Sequence, residues 1–168
     1  MRQRASAACA IRWVALSSVI AIGAGCHRSA VSQCGAEIPE QRLWASTTDA
    51  EMDTAIVAAR ECAHRRGTRV LLEFVAPWCA DCREMTRLDQ TDAVSRVLHE
   101  RYERVRINVG SWDRAAALRQ RYAIDRIAAY VVLDADGQRV AQTVLEPITG
   151  GHGPVTAPQW TAWLEAPH

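Results

Sequence analysis

Two cysteines separated by two residues, Cys79-Ala80-Asp81-Cys82, are the part of this chain best suited to chemistry. At that spacing a pair of sulfurs either closes a disulfide on itself or supplies half of a metal site. The run ahead of them, Val70-Leu71-Leu72-Glu73-Phe74-Val75, is apolar, β-branched and aromatic, and reads as a buried strand. Pro77 ends that strand because it has no N–H for a sheet ladder, and a helix-forming stretch follows Cys79 at once. A cysteine delivered by a strand to a helix N-terminus meets free N–H groups and the positive end of the helix dipole, which favour thiolate over thiol. The thiolate is the species that attacks disulfides. Cys79, at the helix start, is therefore the attacking sulfur, and Cys82, one turn inward, resolves the mixed disulfide. Asp81 puts a negative charge beside Cys79, which opposes thiolate formation and favours a more reducing couple.

Other uses of the pair are weaker. A zinc site needs two more Cys or His ligands, and there is no second CxxC and no HxxxH; only Cys62 and His64 sit close together. A purely structural Cys79–Cys82 bridge is the other alternative. Strand, Trp78, CxxC and helix in that order favour redox chemistry, so no metal and no cofactor are assigned. His64, His99 and His152 read as surface residues. Glu73 is a carboxylate in an otherwise apolar strand, where desolvation raises a pKa; the alternative is that it reaches solvent or pairs with an arginine.

Phe74-Val75-Ala76-Pro77-Trp78-Cys79-Ala80-Asp81-Cys82 resembles the active-site segment of the thioredoxin superfamily. The closer likeness is to the C-terminal thioredoxin-like domain of the membrane reductase DsbD and related small periplasmic proteins, over roughly Thr48 to Leu164. The resemblance implies a thioredoxin-like α/β fold and a thiol–disulfide oxidoreductase; the leading reading is that it acts as a reductase. It also implies that Glu73, at the matching position, relays a proton to and from Cys82, and that Trp78 shapes the docking surface. In the same family a residue followed by cis-proline faces the CxxC and pairs with the substrate backbone. Ile127 and Ala128 occupy those places, and Ala128 departs from the pattern. A non-proline cis bond costs about 2.5–4 kcal/mol, so a trans bond is the default there, with the Ile127 backbone turned away from a docked peptide.

The N-terminus points to export. Met1-Arg2-Gln3-Arg4 is a positive start, and Trp13 to Ala24 is an apolar stretch of about 12 residues, too short to span a bilayer but right for a signal-peptide core. It ends in Gly23-Ala24-Gly25-Cys26, which is similar to the lipobox of bacterial lipoproteins, with Gly23 where a larger aliphatic residue is usual. Cys26 is the lipidation candidate, giving a domain anchored by lipid on the periplasmic side of a bacterial membrane; a soluble periplasmic protein after ordinary cleavage is the alternative. Cys34 and Cys62 remain, in a compartment that permits disulfides, as a possible structural bridge from the tail to the first helix. Cys62 as a small buried hydrophobe is the other possibility. The divisions are a signal peptide over 1–25, a tether over 26–46 and a thioredoxin-like domain over 47–168.

The 168 residues suffice for one domain plus an export segment. A formal charge of +1 gives no reason to expect a nucleic-acid partner. All 20 basic residues are arginine. Thr47 or Thr48 caps a helix to about Arg66, with Met52, Ala55, Ile56, Ala59 and Ala63 inward, and Gly67 stops it. Asp92 to Tyr102 and Asp113 to Tyr122 read as helices, and Val105 to Val109 and Ile127 to Leu133 as strands. Asp134-Ala135-Asp136-Gly137 is a hairpin turn to a strand at Arg139 to Leu145. Pro147 to Pro158 reads as loop and Gln159 to Glu165 as a closing helix burying Trp160, Trp163 or Leu164. The alternation predicts a mixed sheet with parallel central strands, an antiparallel edge hairpin and helices on both faces. The partners expected are protein or small-molecule disulfides and an upstream electron donor at the membrane, met by a monomer. Two competing functions are a non-catalytic thioredoxin-like lipoprotein that binds a partner and a CxxC metallochaperone.

Overall fold

Thr48 starts the first helix, α1 (Asp49–Arg66). The Glu51 N–H donates to the Thr48 hydroxyl, and the Thr48 N–H donates to the Glu51 carboxylate at 2.7 Å, a reciprocal cap that satisfies two N–H groups the helix itself leaves free. Met52, Ile56, Ala59 and Ala63 are buried on one side, while Ala55, expected there, is exposed. Gly67 ends the helix at φ +68°, a left-handed conformation that costs glycine little. The structure, a computed structural model, describes residues 34, 35 and 38–168. The signal segment and Cys26 lie outside the described residues.

Strand β1 (Arg69–Val75) leads into α2 (Ala80–Asp89) and α3 (Asp92–Arg101), then β2 (Tyr102–Asn108), α4 (Ala116–Arg121), β3 (Ala129–Leu133), β4 (Arg139–Val144), α5 (Leu145–Thr149) and α6 (Ala157–Glu165). The sheet order is β2-β1-β3-β4. β1 and β2 are parallel, with Glu73 opposite Arg106; β1–β3 and β3–β4 are antiparallel. The expected parallel centre is thus a single pair. A six-residue α4 is only about 9 Å long, whereas the seven-residue β1 extends about 23 Å. So short a helix does not carry the chain back along the sheet, and β3 re-enters at the end where β2 left.

β1 has neighbours on both edges and is buried from Val70 onward. Alternation sends Val70, Leu72 and Phe74 to one face and Leu71, Glu73 and Val75 to the other. On the first face Phe74 meets Tyr122 edge-on, ring centroids 6.2 Å apart. On the second, Trp160 stacks on Trp163 at 5.1 Å and meets Tyr130 at 4.6 Å. The Tyr102 hydroxyl donates to the Leu164 carbonyl at 2.6 Å, fastening β2 to α6.

α5 begins at Leu145, expected as the end of the last strand, and runs into the span expected as loop, including Pro147. Proline fits there because it is the third helical residue, whose N–H has no intrahelical partner. Residues 38–46 lie as a strap against β2, the edge strand. Leu43 is buried, and Asn108 Nδ2 donates to the Trp44 carbonyl at 3.0 Å. At its start, Cys34 is bonded to Cys62, and the Gly35 N–H donates to the Glu103 carboxylate at 2.7 Å. Glu103 is buried and also receives Arg66 and the Thr68 hydroxyl.

Candidate active site

Ala76-Pro77-Trp78 carries the chain from the end of β1 to the start of α2, where Cys79 is the N-cap. The Cys82 N–H donates to Cys79 Sγ at 3.0 Å, so the sulfur sits where a helix end presents a free donor. Cys79 and Cys82 are joined as a disulfide, and Cys82 is the more deeply buried of the two. Trp78 is about half exposed beside them, and its Nε1–H donates to the Gly110 carbonyl at 2.7 Å, which ties it to the loop after β2. Asp81 is exposed one residue after the helix start.

The register of β1 with β3 pairs Phe74 with Ala129, which sets Ile127 and Ala128 at the same end of the sheet as Cys79. The Ile127–Ala128 peptide bond is cis, and the trans expectation is corrected. Ala128 is buried, and the next residue is already paired with both Phe74 and Val144, so the peptide is held from both sides rather than free to take the form preferred in an open chain.

Glu73 lies in a different setting from the desolvated lone acid expected. It is buried, and Arg104 Nε donates to one carboxylate oxygen at 2.6 Å while Arg106 Nε and Nη2 donate to the other at 2.9 and 2.7 Å. Burial by itself pushes this carboxyl up, but the charges and hydrogen bonds of Arg104 and then Arg106 outweigh it and hold the group well below the ordinary carboxylate range. The expected raised pKa is thus corrected, and the pairing with arginine, the alternative, is what the structure contains.

Sequence reasoning missed the rest of this cluster. Arg104 also reaches Asp89 on α2, and Arg106 Nη1 donates to the Thr86 hydroxyl at 3.0 Å. The Thr86 hydroxyl in turn donates to the Cys82 carbonyl at 2.7 Å. Trp160 Nε1–H donates to Asp89 Oδ1 at 3.0 Å, and the Arg106 guanidinium lies 5.5 Å from the centre of the Trp44 ring. Burial pushes Asp89 up to about 6, helped by the negative charge of Glu73 and opposed chiefly by Arg104. The signal was present: Arg104 and Arg106 alternate with Val105 and Ile107, and Cys82, Thr86 and Asp89 share one face of a helix at offsets of four and seven. Among the described residues no group of three or more His, Cys, Asp and Glu is placed to hold a metal.

Residues 51–135, half of the chain, match the family described as thioredoxin-like. This chain belongs to the thioredoxin-like family. The same fold occurs in a disulphide isomerase from Xylella fastidiosa Temecula1, which is 26% identical over 73% of this chain and 95% of that one, with a TM-score of 0.63. It occurs too in the C-terminal domain of DsbD from Neisseria meningitidis; the oxidised form is 23% identical over 74% of this chain and all of that one, with a TM-score of 0.53. The reduced form of that domain is 21% identical, at the same TM-score. No curated protein matches the sequence. With a disulfide across the CxxC at the helix start, this thioredoxin-like chain is a thiol–disulfide oxidoreductase.

Proposed function

We propose that the protein is a reductase of disulfides on the periplasmic side of a bacterial membrane, anchored there through a lipid on Cys26, with Cys79 and Cys82 as its working dithiol. The observation that carries the redox assignment is the Cys79–Cys82 bond at the N-terminus of α2, with the Cys82 N–H on Cys79 Sγ. The Cys79 thiolate attacks one sulfur of a substrate disulfide; a mixed disulfide forms, and the displaced substrate thiolate takes a proton from water. Cys82 then loses its proton and attacks Cys79 Sγ. The mixed disulfide breaks, the second substrate sulfur leaves as a thiolate and takes up a proton, so the substrate departs as a dithiol; the protein, two electrons poorer, is left as the Cys79–Cys82 disulfide, and a donor dithiol at the membrane restores it. Trp78 and Ile127, with the Ile127–Ala128 peptide, lie at the Cys79 end of the sheet and serve as the surface against which a substrate docks. Glu73 serves as the fixed anion that holds Arg104 and Arg106 under α2.

The support for export is the charged start, the apolar stretch and the small residues before Cys26, together with two cysteine pairs oxidised in the fold. Among the described residues no helix is long and apolar enough to cross a membrane.

Expression of Cys82→Ser in a Gram-negative host tests this. Mixed disulfides with partner proteins should accumulate through Cys79, sediment with membranes, and move to the soluble fraction when Cys26→Ser is added. The reduced wild-type domain should reduce insulin. An inactive domain whose Cys82→Ser form traps nothing would overturn the reductase and leave the partner-binding and metallochaperone alternatives.

A further inference from the structure

We propose that Asp89 is a positioning residue for the redox pair: its charge, carried on the same face of α2 as Cys82 and linked to it through Arg106 and Thr86, sets how readily the active-site thiols ionise. The proposal rests on the assignment of Cys79 and Cys82 as the working dithiol.

Three observations lead to it. Cys82, Thr86 and Asp89 are all buried on the inward face of α2, and Asp89 follows Cys82 by seven residues, about 10 Å along the helix axis. A continuous set of contacts joins them: Asp89 lies 3.6 Å from Arg106 Nη2, Arg106 Nη1 donates to Thr86, and Thr86 donates to the carbonyl of Cys82. A cleft of about 310 Å³ between the strap and α2 and α3 reaches Asp89, Arg104 and Arg106, so a proton can come and go without the domain opening.

The groups facing Asp89 decide which acid in the cluster changes charge. From β1 it faces Glu73, from β2 Arg104 and Arg106, from β3 Tyr130 and from α6 Trp160; His99 of α3 and Glu40 of the strap line the same cleft. Tyr130 is held neutral, its hydroxyl raised well above the ordinary tyrosine range by burial. Glu73 is held charged by its two guanidiniums. Asp89 is the remaining acid of the cluster, and it titrates near 6, close to neutrality. With Asp89 protonated, Glu73, Arg104 and Arg106 leave one net positive charge under the helix; with Asp89 ionised the cluster is neutral. Ionisation of Asp89 therefore withdraws a positive field from beneath the cysteines and makes their thiols less acidic. At about 10 Å and an effective dielectric constant near 20, one unit charge changes a thiol's ionisation roughly tenfold, about one pKa unit.

The experiment is the pH dependence of alkylation of the reduced full domain, followed at Cys79 and Cys82 by peptide mass spectrometry so that Cys34 and Cys62 do not interfere. Asp89→Asn keeps an acceptor for the Trp160 N–H but never takes a charge. It should lower the apparent pKa of the active-site thiols by about one unit and speed alkylation at pH 7 by roughly tenfold. Asp89→Glu should return both to the wild-type values, which a loss of packing would not do. If Asp89→Asn does not fold, Trp160→Phe removes the hydrogen bond that keeps Asp89 acidic, and alkylation at pH 6.5 should then accelerate. Thiol pKa values unchanged in Asp89→Asn, or shifted equally in Asp89→Glu, would overturn the proposal. Because alkylation needs no substrate, an inactive protein that still shows the shift would count against the reductase assignment and not against Asp89.

Discussion

Replacing Glu73 separates two accounts of that residue. A proton carrier exchanged for its neutral amide would leave a sound fold and a displaced pH–rate profile. The structure instead makes Glu73 the anion shared by two buried guanidiniums through three charge-assisted hydrogen bonds of 2.6, 2.9 and 2.7 Å. Glu73→Gln removes that charge, and among the described residues Asp89 is the anion that remains in contact with the two arginines. Removing one partner of a buried ion pair costs about 3–5 kcal/mol, because an uncompensated charge stays behind. At this chain length roughly 4 °C of Tm follows each kcal/mol, so Tm should fall by about 12–20 °C. Thermal and urea unfolding followed by circular dichroism at pH 7 measures it. The double variant Glu73→Gln/Arg106→Met, which takes away one cation together with the anion, should regain about 1–2 kcal/mol of the loss. A Glu73→Gln protein within about 1 kcal/mol of wild type would refute this reasoning and restore Glu73 as a proton carrier.

Two further outcomes follow from the same geometry. Cys34→Ala/Cys62→Ala should lose about 3.5 kcal/mol, the chain-entropy value for a closed loop of 28 residues, while reduced Cys79 and Cys82 remain reactive; loss of thiol reactivity at equal foldedness would show that the bridge acts on the site. Stability should rise as pH falls from about 6 to about 4, because folded Asp89 takes up a proton near 6 while the unfolded chain does so only near 3.8. The gain is at most about 3 kcal/mol, and it reverses at lower pH, where protonating Glu73 breaks its pairs. Urea midpoints between pH 4.5 and 7.5, for wild type against Asp89→Asn, measure the gain; equal slopes for the two proteins would sink it.

Most of the scaffold was readable because its signals are local. Thr47 or Thr48 announces a helix start, Gly67 a helix end, and Val70 to Val75 an apolar run that reads as a buried strand. Cys79 and Cys82 follow from spacing and from what precedes them. The direction of β3 was not readable from alternation alone, since it depends on how short α4 is. The cluster under α2 was hidden for a different reason. Glu73, Asp89, Arg104 and Arg106 come from three elements, and a single sequence shows a carboxylate in an apolar strand without showing which cations the fold brings to it. Burial argued for a raised pKa, and two guanidiniums reversed the sign. Ile127–Ala128 is similar: the cost of a cis bond is a property of the dipeptide, and its occurrence depends on the strand pairing that follows.

The bridge between Cys34 and Cys62 has a geometric consequence. Cys62 lies in the last turns of α1, near the start of β1, whereas Cys79 follows the end of β1. The two disulfides therefore lie toward opposite ends of β1, a seven-residue strand about 23 Å long. A pull on the chain at Cys34 is taken by the bridge directly into α1 instead of peeling the strap from β2. The redox pair, beyond the other end of β1, is clear of that attachment, so a load carried by the bridge does not pass through Cys79 or Cys82.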